Sequence, residues 1–258
     1  GKSVVLQNNG ANSQTVTNPA TSFSFPAQND GSTYNVSVLT QPVGQTCTLL
    51  NNSGTLAGSN VTNVSVTCTD TTYTVSGSIT GLSASGLSLS LSGSKSSTVT
   101  PASGATSYSF TQTVVNGNSY TVSIGTQPTG QTCTLSPSPA TGTVGTSNIV
   151  VNVSCTVNTY RLNGFINGLT GSVTLMLNNS EQKVMTLNRS FTFRTQLTMG
   201  DQYDVKVVGQ PEGQICTVSN SNGSISNANI TNIVVSCSAS NALTNGGGSM
   251  DQRWLLML

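Results

Sequence analysis

Along most of the chain β-branched and aromatic residues alternate with Ser, Thr and Asn, the two-residue period of a strand with one face turned inward. The clearest runs are Tyr34-Val36-Val38, Tyr120-Val122-Ile124 and Tyr203-Val205-Val207. Each leads into Gln-Pro-x-Gly, which predicts a type I turn with Pro at its second position and Gly at its fourth. That turn brings the next strand, which carries a cysteine, back antiparallel to the tyrosine strand. A further alternating run closes each segment: Val64-Val66-Cys68, Val151-Val153-Cys155 and Ile233-Val235-Cys237. Strands roughly every 8 to 12 residues, with Gly, Asn and Ser turns and no helical apolar spacing, predict all-β sandwiches of about seven strands.

The segments are copies of one unit. TQPVGQTCTL, TQPTGQTCTL and GQPEGQICTV place cysteines at 47, 133 and 216, a period near 85 residues. An aromatic pair precedes each string (Phe23/Phe25, Tyr108/Phe110, Phe191/Phe193), and its recurrence points to core positions. A period this long exceeds a solenoid repeat, so each copy is expected to hold its own core. The expected division is residues 1–70, 71–157 and 158–240 as three Ig-like repeats, then a Gly-rich hinge and apolar tail over 241–258. Linkers of about four residues, at Thr69–Thr72 and Thr156–Thr159, suggest a semi-rigid rod.

Six cysteines fall two per repeat, Cys47 with Cys68, Cys133 with Cys155 and Cys216 with Cys237, at separations of 21, 22 and 21. Intradomain disulfides are the expected connectivity, against the alternative of six buried free thiols. Closing a loop of about 21 residues contributes about 3 kcal/mol in the chain-entropy picture and places the protein outside a reducing cytosol. The cysteines offer no zinc site, because no repeat supplies four ligands.

Charge narrows the chemistry further. Eight basic and seven acidic residues among 258, with no histidine, leave no Ser-His-Asp or Cys-His catalysis and no imidazole ligand. A net charge of +1 without a basic run argues against nucleic acid, and the longest apolar run, Trp254–Leu258, is too short to span a membrane. Ser92-Gly93-Ser94-Lys95 matches the spacing of serine acyl-transferases but lies in a Ser-rich turn segment, and Asp201/Asp204 lack the oxygen-rich loop of a calcium site. Asn-x-Ser/Thr triplets, as at Asn35 and Asn60, arise by chance in so Asn- and Thr-rich a chain. No enzyme activity, cofactor or small-molecule substrate is expected. Residues 71–155 hold a single charge, Lys95, so repeats 1 and 2 are the expected sites of contact between neighbouring subunits.

Gly168-Leu169-Thr170-Gly171-Ser172-Val173-Thr174-Leu175 with Asn178-Asn179, the F-x-F pair, G-x-x-Y-x-V, QPxGQxCT and the closing V-x-V-x-C together resemble tandem β-sandwich repeats of secreted and surface proteins of Gram-negative bacteria. The resemblance covers residues 1 to about 240. It implies an extracellular, Ig-like, non-enzymatic building block of stalks and spacers.

The two ends depart from that pattern. Repeats 2 and 3 open with a strand, Tyr73–Ile79 and Tyr160–Ile166, followed by Gly81-Leu82 and Gly168-Leu169. Repeat 1 has no such strand, and Val4, Val5 and Leu6 align with the second strand of the others. A sandwich without its first strand exposes a groove and an unpaired edge, a template for another chain. At the other end Trp254, Leu255, Leu256, Met257 and Leu258 form an apolar tail of strand length behind Gly246-Gly247-Gly248. The expected role is a subunit of an extracellular bacterial filament, self-assembled head to tail by strand donation into repeat 1. The tail does not match the Tyr-x-Val-x-Gly-x-Ile pattern of the absent strand, and a fragment whose first strand lies upstream is the alternative. Further alternatives are a stalk of a larger adhesin or secreted enzyme, neighbouring surface-protein domains then being its partners, and a carbohydrate-binding module.

Overall fold

The alternation is realised as strand throughout: the computed structural model, which describes residues 2–240, contains no helix among them. The fold is all-β, three tandem Ig-like sandwiches with one disulfide each. The chain divides into two compact units, residues 1–157 with two of the sandwiches and residues 158–258 with the third.

Repeat 1 comprises β1 (Ser3–Asn8), β2 (Ala11–Thr17), β3 (Thr33–Thr40), β4 (Gln45–Leu50), β5 (Ser53–Thr55) and β6 (Ser65–Asp70). One sheet runs β2-β1-β3-β5, and facing it is the pair β4-β6. Repeat 2 comprises β7 (Thr72–Tyr73), β8 (Val75–Thr80), β9 (Ser88–Gly93), β10 (Ser97–Val99), β11 (Ser107–Ser109), β12 (Val114–Val115), β13 (Ser119–Thr126), β14 (Gln131–Ser136), β15 (Thr141–Thr143), β16 (Ile149–Val150) and β17 (Asn152–Val157). Its sheets are β10-β9-β13-β15 and β11-β8-β17-β14, with β7 and β12 forming a short ribbon. Repeat 3 comprises β18 (Thr159–Tyr160), β19 (Leu162–Asn167), β20 (Val173–Leu177), β21 (Glu181–Met185), β22 (Ser190–Thr192), β23 (Leu197–Thr198), β24 (Gln202–Gly209), β25 (Gln214–Ser219), β26 (Asn222–Ser224) and β27 (Ile230–Ala239). Its sheets are β21-β20-β24-β26 and β22-β19-β27-β25, with the ribbon β18-β23.

Two sequence expectations are corrected here. The cysteine strand does follow the tyrosine strand, but it does not pair with it: β3 lies in one sheet and β4 in the other, and the same switch separates β13 from β14 and β24 from β25. The Gln-Pro-x-Gly turn is also shifted by one residue. The amide of Gln45 donates to the carbonyl of Pro42 at 3.1 Å, and Gly44 sits third in the turn at φ 71°, the positive value that a type II turn demands there. Glycine decides the matter, because it alone takes that φ without strain.

The glutamine before the proline explains how the switch is held. The side chain of Gln41 donates to the carbonyl of Cys47 at 3.1 Å and accepts from the Cys47 amide at 2.7 Å, and Gln127 with Cys133 and Gln210 with Cys216 repeat the arrangement. A strand that has left its predecessor's sheet thereby has its exposed amide and carbonyl satisfied. Connectors between repeats are shorter than the alternation suggested. β6 and β17 run on through Asp70 and Val157, leaving Thr71 and Asn158 between strands. Ladder bonds are made by backbone, so the polar side chains of Thr69 and Asp70 do not end the strand, and Asp70 pairs with Gln45. Within residues 1–157, Thr71 is held from both sides, its amide on the carbonyl of Gly44 and its carbonyl on the amide of Asn116.

Candidate functional site

The three sandwiches are filled unequally. Repeats 2 and 3 each bury seventeen apolar or cysteine side chains in one cluster, whereas repeat 1 buries four, Val4, Leu6, Val36 and Cys47. The missing element is the strand that β8 and β19 provide. In repeat 2, β8 inserts between β11, antiparallel, and β17 with β16, parallel, and it buries Val75 and Ile79. In repeat 3, β19 lies likewise between β22 and β27 and buries Leu162 and Ile166. In repeat 1, β6 pairs with β4 alone among the described residues, and the segment carrying Phe23 and Phe25 forms no strand.

What stands there is a groove of about 1290 Å³. Phe23 and Phe25 form one wall, stacked edge to face with ring centres 5.8 Å apart, in the geometry of Tyr108/Phe110 and Phe191/Phe193 at 5.6 Å. Val64, Val66 and Cys68 line the groove as well, and Val4, Val16 and Val36 add to its apolar lining. The aromatic pair of repeat 1 is therefore half-buried, not the full core position its recurrence predicted, because no strand among the described residues covers it as its equivalents are covered.

Of the residues assigned to the groove from sequence, Val4 lines it. Leu6 is fully buried in the same cluster without reaching the groove surface, and Val5, one residue out of phase, points to the other face of β1. Trp254, Leu255, Leu256, Met257 and Leu258 lie outside the described residues.

Two polar residues whose place sequence reasoning missed line the groove, Gln45 and Asn60. Gln45 donates to the carboxylate of Asp70 at 3.0 Å, and Lys2 bonds the same oxygen at 2.9 Å. The bonds from Lys2 and Gln45 hold the Asp70 carboxyl below the ordinary carboxylate range. The signal for Gln45 was present in the repeated string QPxGQxC, in which a second glutamine recurs at 45, 131 and 214 without a structural need of the turn.

The other chemical candidates are placed apart from the groove. Ser92 and Lys95 are exposed on the β9–β10 hairpin. The Asp201 carboxylate accepts from the amide and hydroxyl of Thr198, and Asp204 pairs with Lys206 at 2.7 Å. Among the described residues no three His, Cys, Asp or Glu side chains gather as a metal site, and no helix is long and apolar enough to cross a membrane.

No family model matches the sequence, and no curated protein matches it. Among solved structures, the TIE protein of Bacillus anthracis is similar over 92% of this chain and 48% of its own, at 13% identity and a TM-score of 0.53. Two B repeat units of the collagen-binding protein of Staphylococcus aureus match 93% of the chain and 69% of their own at 14% identity, with a TM-score of 0.26. The pilus adhesin SpaC of Lactobacillus rhamnosus GG matches 91% and 40% at 12% identity, with a TM-score of 0.32. The first likeness bears on the fold alone, and the other two superpose too loosely to bear on it. The chain spans about half the length of the first of these proteins. The likeness to the Bacillus anthracis protein supports Ig-like repeats as the fold, while the Gram-negative type finds no support among these matches.

Proposed function

We propose that the chain is a structural segment of an extracellular bacterial fibre, divided as residues 1–70, 71–157 and 158–240, whose first repeat is completed by a strand donated from a neighbouring subunit. The observation that carries this reading is the groove of repeat 1, which lies where sister repeats hold a strand and, among the described residues, has an unpaired edge along β6. Exposed edges are templates for strand addition, and a donor inserting head to tail makes an open polymer. The apolar tail Trp254–Leu258 is one candidate donor. Disulfides in each repeat fit a location outside the reducing cytosol. The scarcity of charge and the lack of histidine favour a non-enzymatic role with protein partners, copies of itself or adjoining surface domains, rather than nucleic acid or a small-molecule substrate.

A second reading, a stalk within a longer surface adhesin, is favoured by the match to under half of the longer Bacillus anthracis protein. Electron cryomicroscopy of the native material separates the two. Subunits repeating along one axis with repeat 1 at each junction are expected for the fibre; isolated short rods overturn it.

A further inference from the structure

We infer that the groove of repeat 1 is a receptor for one kind of strand: an extended segment of the pattern apolar-x-Gly-x-apolar-x-Gly-Leu running parallel to β6. The inference rests on the strand-acceptance reading above and specifies what is accepted. The two filled repeats show the rule, since Val75-Ser76-Gly77-Ser78-Ile79-Thr80-Gly81-Leu82 and Leu162-Asn163-Gly164-Phe165-Ile166-Asn167-Gly168-Leu169 share it, and the residues that read its glycines and its ends have counterparts in repeat 1.

The central glycine is read by a carbonyl and a ring. A Cβ added at Gly77 would lie 1.8 Å from the carbonyl oxygen of Val151, and one at Gly164 would lie 2.6 Å from that of Ile233 and 2.5 Å from the Phe191 ring. No side chain fits so close to backbone. The counterparts in repeat 1, four residues before the closing cysteine and at the first aromatic of the pair, are Val64 and Phe23, and both line the groove. The second glycine is read twice. Gly81 and Gly168 have φ of 74° and 71°, and a Cβ on either would lie 2.2 Å from the carbonyl oxygen of Cys155 or Cys237. Cys68 occupies that place in repeat 1.

Side-chain amides mark the two ends. At the far end the side chain of Gln131 donates to the carbonyl of Gly81 at 2.8 Å, and that of Gln214 to Gly168 at 2.7 Å. Gln45 is their counterpart, its amide now on Asp70. At the near end Asn148 accepts from the amide of Thr74 at 3.0 Å and Asn229 from that of Arg161 at 2.8 Å, in each case the residue before the first apolar position. The run Asn60-Val61-Thr62-Asn63-Val64 repeats Asn229-Ile230-Thr231-Asn232-Ile233 position for position, which makes Asn60 the counterpart of Asn229. Asn60 and Gln45 thus fix both the direction of the incoming strand and its register. Residues 249–258 contain no glycine, so the tail does not satisfy the rule.

The test offers the 258-residue chain a synthetic peptide of residues 73–84, with binding read by calorimetry and by hydrogen exchange over Ser65–Asp70. One peptide per chain is expected to bind, slowing exchange along β6 and raising the melting temperature of repeat 1. The Gly77→Val peptide is expected to bind roughly tenfold or more weakly, and the Gln45→Leu and Asn60→Ala chains to weaken the parent peptide while leaving exchange in repeats 2 and 3 unchanged. Absence of binding, or equal binding of the Gly77→Val peptide, overturns the inference. Occupation by a peptide of residues 241–258 overturns the glycine rule and leaves strand donation standing. Peptide binding by a chain that forms no fibre keeps the receptor and sinks the fibre.

Discussion

Val64, Val66 and Cys68 of repeat 1 and Ile233, Val235 and Cys237 of repeat 3 stand at the same distances along the chain from a closing cysteine that faces the same cysteine partner. In repeat 3 they are 0%, 0% and 9% exposed, while in repeat 1 the valines are half-buried and Cys68 is exposed. Nothing in the alternation of the closing strand distinguishes them. Burial of a strand's inward face is conferred by the neighbour inserted beside it, and among the described residues repeat 1 has none there. With four buried side chains against seventeen, repeat 1 depends more heavily than its sisters on its disulfide.

The largest test of that contrast removes the staples. Cys47→Ala with Cys68→Ala costs about 2–5 kcal/mol, which the small core of repeat 1 cannot absorb. Peptide-level hydrogen exchange is expected to show residues 3–70 unfolded, whereas Cys216→Ala with Cys237→Ala leaves repeat 3 folded with a lowered midpoint. Equal outcomes would break the comparison. The next test truncates matched aromatics. Phe193→Ala is expected to cost about 3–5 kcal/mol and Phe25→Ala less than about half of that, read by denaturant unfolding. A smaller pair contrasts the glutamines: Gln131→Ala removes the three bonds of that buried side chain to Ser83, Ala84 and Gly81 and costs about 1–3 kcal/mol, while Gln45→Ala stays within about 0.5 kcal/mol until a strand is bound.

The last test uses pH. Burial raises the Tyr108 hydroxyl to about 12 from its ordinary 10, and that hydroxyl donates to the carbonyl of Val151. The folded state holds the proton more tightly than the unfolded, so this contribution is complete below about pH 10 and falls away as pH rises towards 12. Repeat 2 should lose melting temperature over that window, and Tyr108→Phe should flatten the loss. Phe23 and Phe191, its counterparts, have no hydroxyl, so repeats 1 and 3 should lack this component.

Much of this was legible in the sequence, and the boundary follows the range of the interactions. Alternation and the recurring cysteines are local, so the strands and the three-sandwich fold could be read from them. Sheet membership is not local. Tyr34-Val36-Val38 followed by a turn and Thr46-Cys47-Thr48 reads equally well as a hairpin, and what sends β4 across is the amide clamp of Gln41 together with pairing to β6 some twenty residues later. The turn register was misread because proline favours one frame and glycine's positive φ another. Gln45 and Asn60 stayed invisible as end markers because their role shows only by contrast with Gln131, Gln214, Asn148 and Asn229, each of which has its strand in hand.

The cross-strand disulfides also have a mechanical consequence. Each joins directly opposed residues of adjacent strands, at a Cα separation near 4 Å, and so short-circuits the chain between its two cysteines. Under tension a ruptured sandwich cannot pay out the twenty residues between Cys47 and Cys68, or their equivalents, and each oxidised repeat withholds about 70 Å of contour length. Single-molecule pulling in oxidising and reducing buffer would register that difference once per repeat, as shorter steps before reduction than after it.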